Sequence, residues 1–183
     1  NMVGNMYQTA LPLANINVAG GGELRPYGFV FDNGSGSYRM VTRTPAVNSA
    51  RTYVEAWEGV WLRAVGATVS VQVTAPVGAA DLRAGEAAQA KLPSGGWVVP
   101  VVARAAGVAD LCTVAGVGEQ WQVENPPKLP GTVDVYFTDA SGARLAQDLR
   151  PLGASKLVWD FVVETDLAEA RVEVSLPDLS GVP

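Results

Sequence analysis

The side chains in this sequence that could do chemistry are mostly carboxylates, and their spacing can be weighed directly. Glu55 and Glu58 flank a turn beside Trp57 and Trp61, the residue types of a glycoside-hydrolysing pair. Positions three apart in a strand point to opposite faces, so the two carboxylates converge only if the turn bends them together. Glu164 and Asp166 could share one face, but beside Lys156 and Arg171 they read as solvated charges at the end of a sheet. Asp32-Asn33-Gly34-Ser35-Gly36 copies half of a calcium loop. The bidentate Glu such a loop needs is replaced by Arg43, and no Gly falls at the sixth place, so a β-turn accounts better for it.

What is missing narrows the chemistry further. The chain has no histidine, which removes Ser-His-Asp and Cys-His catalysis and imidazole zinc sites. A single cysteine, Cys112, allows neither a thiolate cluster nor an intrachain disulfide. It reads as a small buried hydrophobe or as one half of an intermolecular bridge. Gly20-Gly21-Gly22 lacks the helix and lysine of a phosphate-binding loop. The sequence therefore predicts no catalytic residue, no cofactor, no metal and no small-molecule substrate. Net charge of −5, without a basic run, also argues against nucleic acid as a partner.

Among 183 residues there are 28 Val against one Ile, with 20 Gly and 12 Pro. Valine suits a pleated surface, and Gly and Pro punctuate turns, so the composition is that of a β protein. Hydrophobic residues make up 48% and charged residues only 17%, at a mean hydropathy of +0.15. A sandwich must turn about half its strand positions outward, and too few charges exist to cover them. Outward faces are thus expected to be buried between subunits. Asn1–Thr9 has neither the basic start nor the apolar run of a signal peptide, and no stretch reaches the length of a spanning segment.

The elements follow from turn chemistry. Gly28–Asp32 and Ser37–Thr42 flank Asn33-Gly34-Ser35-Gly36, a hairpin signal. Thr52–Trp57 reads as a strand with Tyr53, Glu55 and Trp57 on one face, where Tyr53 and Trp57 could form part of an aromatic sugar platform. Val60–Val65 returns from it. Thr68–Thr74 alternates cleanly, with Val69, Val71 and Val73 expected inward. Asp81–Lys91 is Ala-rich behind a good N-cap and predicts one short surface helix. Trp97–Ala103 is a strand that Pro100 confines to an edge or a bulge. Gln120–Glu124, Thr132–Thr138, Ala143–Leu149, Lys156–Glu164 and Arg171–Leu176 complete the strands, with Asp139–Gly142 as a second hairpin loop. The expected fold is all-β, a single jelly roll or β-sandwich of about eight to ten antiparallel strands. Residues 1–24 form an arm ahead of a domain spanning 25–183, with a sub-boundary expected near 125–131 at the proline-rich linker. The arm either extends onto a neighbour or is a disordered terminus. Leu11, Leu13, Ile16, Val18, Tyr53, Trp57 and Cys112 are the expected interface positions.

The run Pro26-Tyr27-Gly28-Phe29-Val30-Phe31-Asp32-Asn33-Gly34-Ser35-Gly36-Ser37-Tyr38 resembles segments of phage virion proteins, where an aromatic strand ends in an Asn-x-Ser/Thr-Gly turn before another aromatic strand. With the chain's size and Val-rich strands, it is similar to the single jelly-roll capsid proteins of tailless, internal-membrane icosahedral phages of thermophilic bacteria. The resemblance implies a structural virion subunit located in the capsid. Its partners would be copies of itself or a second capsid protein, with contact to an internal membrane, and it would carry no cofactor. The alternative is a secreted Ig-like or adhesin module at the cell surface, binding glycan or protein through its loops. A hydrolase built on a carboxylate dyad ranks third.

Overall fold

A computed structural model describes residues 2–20, 22–66, 70–75, 91–154, 156–180 and 182. The described chain is almost entirely β, and the all-β sandwich class expected from the sequence is what it adopts. It divides into two compact units, the first comprising 1–31 and 39–90 and the second comprising 32–38 and 91–183. The expected helix over Asp81–Lys91 lies, apart from Lys91, outside the described residues.

Unit 1 holds β1 (Met2–Gly4), β2 (Leu11–Pro12), β3 (Ile16–Ala19), most of β4 (Glu23–Asp32) and β5 (Ser37–Thr42), β6 (Tyr53–Val54), β7 (Gly59–Val65) and β8 (Ser70–Val73). A single 3-10 turn, Leu13–Asn15, joins β2 to β3. The main sheet runs β1-β7-β4-β5, and β2-β6 and β3-β8 form two-stranded ribbons. Gly28 permits the tight crossing of β4 over β7, where the ladder shifts register between Leu24 and Gly28. A Cβ there would lie 2.7 Å from both Leu62 Cδ2 and the Trp61 carbonyl oxygen, closer than any side chain tolerates.

The described residues of the expected arm, 2–20 and 22–24, belong to the body of unit 1. β1, β2 and β3 pair with β7, β6 and β8, and Leu11, Leu13 and Ile16 are buried with Val30, Val41, Val54, Val60 and Leu62 in the core of unit 1. Removing this apolar surface from water within the same chain stabilises more than leaving it to await a neighbour. The alternation read into Thr68–Thr74 also needs correction. Val71 and Val73 are both exposed, and among the described residues β8 ladders only with β3; Val69 lies outside the described residues.

Unit 2 holds β9 (Trp97–Ala105), β10 (Val108–Gly118), β11 (Trp121–Glu124), β12 (Val133–Thr138), β13 (Arg144–Pro151), β14 (Phe161–Thr165) and β15 (Glu173–Ser175). Their order is β14-β12-β13-β10-β9-β15, with β11 also paired to β13. Every pair is antiparallel except β10–β13. The core is Val101, Ala103, Ala105, Ala115, Val133, Val135, Phe137 and Leu145. Pro100 sits where β9 has run past the end of β15, so its missing N–H interrupts no ladder bond to that strand. The 125–131 segment is no boundary. The Asn125 N–H donates to the Arg144 carbonyl at 2.9 Å, and the Gly131 N–H to the Asp166 carboxylate at 3.0 Å, tying both ends into one unit.

Both expected hairpins form. Asp32 Oδ1 accepts the Gly34 N–H at 3.0 Å, and its Oδ2 accepts the Ser35 hydroxyl at 3.0 Å. The carboxylate that resembled a calcium ligand therefore serves its own turn. Asp139 Oδ1 does the same work in the β12–β13 loop, accepting from Ser141 and Ala143.

Candidate functional site

The feature of unit 2 with functional content is that, among the described residues, β14 and β15 end the main path of the sheet with one strand partner each, as β11 ends its branch on β13. β14 closes one end of the sheet and exposes Phe161 and Val162; β15 closes the other and exposes Val174, with Leu176 just beyond. Neither strand contains the lysine or proline that blunts an edge, and the only charges within them are Glu164 and Glu173. Glu164 accepts the Tyr136 hydroxyl at 2.7 Å and pairs with Arg144 at 2.9 Å. These contacts hold its carboxyl below the usual range, the tyrosine hydrogen bond contributing most.

Beside β15 an open cavity of about 610 Å³ is lined by Ser35, Arg104, Val108, Leu111, Arg171 and Glu173, among others. The β9–β10 turn forms part of its wall. Ala106 and Gly107 both take positive φ there (47° and 85°), the geometry that matches the twist of a two-residue hairpin. Arg104 stands opposite Glu173 in the β15–β9 ladder and donates weakly to Ser175 Oγ at 3.5 Å.

The centre of unit 2 carries buried acids that sequence inspection passed over. Asp110 sits at a register shift in the β9–β10 ladder. Its Oδ2 accepts the Val135 N–H at 2.7 Å, and its Oδ1 accepts the Cys112 N–H at 3.0 Å and the Cys112 thiol at 3.3 Å. Thr113 Oγ1 donates to the Val135 carbonyl at 2.6 Å. Two side chains thus tie β10 to β12, strands that share no ladder, at the register shift in the β9–β10 pairing. Burial raises the Asp110 pKa, opposed by those N–H donors. Burial, then the Asp110 charge, pushes the Cys112 thiol well above its ordinary range, so this cysteine stays a thiol. Asp134 is buried as well; it accepts from Asn125 Nδ2 at 2.8 Å and lies 3.5 Å from Arg144. Its pKa is raised to about 6, mainly by burial. Asp148 accepts from Gln122 at 3.1 Å and from Arg150 at 2.9 Å. Backbone and side-chain donors meet Asp110, Asp148 and Asp134 Oδ1, while the buried Asp134 Oδ2 has only the Arg144 ion pair, an arrangement that serves the fold of the unit.

In unit 1 the turn does bring Glu55 and Glu58 together, around a cation. Arg51 donates to Glu58 and lies 3.9 Å from Glu55, while Glu58 Oε2 also accepts the Glu55 N–H at 2.9 Å. One guanidinium shared by two carboxylates is a clamp on a loop, unlike a dyad held apart for a sugar ring and a water. Trp57 takes φ 65° at the tip of this turn and is 70% exposed, whereas Tyr53 is buried, so the two do not form one platform. β6 covers only Tyr53–Val54, and the period-2 pattern behind the platform stops there.

Of the expected interface positions, Trp57 alone is strongly exposed. Leu11, Leu13, Ile16, Tyr53 and Cys112 are buried inside their own units, and Val18 is half-buried against the unit 1 core. They are corrected to core positions. The exposed apolar residues that sequence reasoning missed are Phe161, Val162, Val174 and Leu176. The available signal was a terminal pair of short strands with few charges. Among the described residues no group of three or more acidic or cysteine side chains is placed to hold a metal ion, and no helix is long and apolar enough to cross a membrane. Comparison with protein-family models, curated proteins and solved structures finds no match to this chain.

Proposed function

We propose that the chain is a structural virion subunit, a capsid building block of the jelly-roll kind that assembles through the edges and flanks of its sheets. The observation that carries the reading is the unit 2 sheet, whose end strands β14 and β15 have one strand partner each among the described residues and expose Phe161, Val162 and Val174. End strands of a sheet template pairing with other chains. Residues 2–20 and 22–24 take no part as an arm, because their apolar side chains are consumed by the unit 1 core. The partners are copies of the same chain or a second capsid protein, and the location is the capsid, against an internal membrane. The work is burial: an ordinary interface of about 1,600 Å², a little over half of it apolar, yields roughly 23 kcal/mol of gross apolar driving force before association costs are subtracted. Electron microscopy of the concentrated protein should show ordered oligomers, and mass spectrometry of purified particles should find the chain. Its absence from such particles would refute the reading.

A second reading draws on Trp57, exposed at a clamped turn, and on the two compact units. Both suit a secreted adhesin-type module that binds glycan through a loop. Binding on a glycan array that Trp57→Ala abolishes would decide for it.

A further inference from the structure

We propose that β14 and β15, the end strands of the unit 2 sheet path among the described residues, complement each other, so that β14 of one copy adds in parallel to β15 of the next. This rests on the assembly reading above and names the strands and charges that would carry it out.

Strand direction selects the pairing. Between β14 and β15 there are five junctions, of which only β13–β10 is parallel, leaving four reversals. An even number of reversals makes β14 and β15 run the same way. A second copy that continues the sheet in the same orientation therefore lays its β14 alongside β15 in parallel, supplying backbone partners to both edges.

The charges select it too. Asp160 immediately precedes β14, and Arg171 lies two residues before β15. Parallel pairing brings these two N-terminal ends together. Both are exposed, and neither has a hydrogen bond or ion pair within the described chain, so each is available to the other. Arg104, across the ladder from Glu173, counters the carboxylate that would otherwise face the acidic β14. The rival arrangement, β14 against β14 about a two-fold axis, would set Asp160 near Asp166 of the other copy and oppose like charges. Pairing β14 with β15 covers Phe161 and Val162 on one copy and Val174 and Leu176 on the other. Because it joins unlike surfaces, it propagates into rings or open arrays, as a shell requires.

The test is a charge swap on the full chain, read by sedimentation velocity. Arg171→Asp places two acids at the junction, and Asp160→Arg places two bases there; both sites are exposed and outside the ladders, and circular dichroism checks that the fold is kept. Each variant alone should associate about tenfold or more weakly than the unmodified chain. An equal mixture should recover association, because every junction between unlike variants again pairs Arg with Asp. Variants that associate as well as the unmodified chain, or a mixture that fails to recover, would overturn the β14–β15 pairing while leaving assembly through other surfaces standing. An unmodified chain that never associates would overturn the pairing and the assembly reading together.

Discussion

Replacing Asp134 with Asn should make the protein more stable at neutral pH and remove part of its pH dependence between about pH 5 and about pH 7.5. In the folded protein the Asp134 carboxyl titrates at about 6 against an ordinary 3.8, because it is buried first of all, and because Asp110 and Glu164 add negative charge nearby. Asn125 and Arg144 offset part of this. A carboxyl whose pKa rises on folding holds its proton more tightly in the folded state. The penalty is therefore fully present above the folded pKa and is relieved as pH falls through about 6 toward the unfolded value. At full weight the difference corresponds to about 3 kcal/mol. Arg144, 44% exposed, keeps water near the pair, which reduces the expected effect to about 1–2 kcal/mol. Asp110 contributes with the same sign. Glu164, Asp139, Asp166 and Asp178 are shifted the opposite way, and their stabilisation is lost only as pH falls through their depressed folded values, below the window used here. Urea denaturation across the window, with hydrogen exchange reporting on β12, measures both proteins. The unmodified chain should lose stability as pH rises, and Asp134→Asn should lose less, keeping the part that Asp110 contributes. Unmodified protein that gains stability with rising pH, or a variant weaker than it at about pH 7.5, would refute the reasoning.

Three further outcomes follow from the packing. Leu13→Ala should cost unit 1 about 2–5 kcal/mol, because the side chain is fully enclosed in its core; a neutral result in thermal melts would restore the arm. Gly28→Ala should destabilise by about 1–3 kcal/mol, since the new methyl meets the Trp61 carbonyl and Leu62, and a melt at the unmodified temperature would contradict that crossing. Cys112 should resist thiol reagents in the native protein and react fully once denatured; rapid native labelling would show that the site opens.

The parts of the fold legible in the sequence are those with local causes. Asn33-Gly34-Ser35-Gly36 and Asp139–Gly142 specify their turns through short polar side chains and glycines, so both hairpins could be placed from composition alone. Pro100 restricted its strand for the same local reason. Errors arose where the partner is distant in sequence. Leu11, Leu13 and Ile16 look like a detachable apolar run until β6, β7 and β8 supply partners some forty to sixty residues later. Val71 and Val73 alternate as an inward face should, but among the described residues β8 ladders only with β3 and both side chains stay exposed. Asp110 was invisible as a site because its meaning depends on a β-bulge and on Val135, a residue twenty-five positions away. The end strands were equally hidden, since Phe161–Thr165 and Glu173–Ser175 end the sheet path only through the strand order.

The most direct measurement of the central claim is the solution mass of the unmodified chain across a concentration series. Sedimentation velocity should show species above the 19.1 kDa of a single chain that grow with concentration and are lost on dilution. A lone 19.1 kDa particle at every concentration would contradict the account.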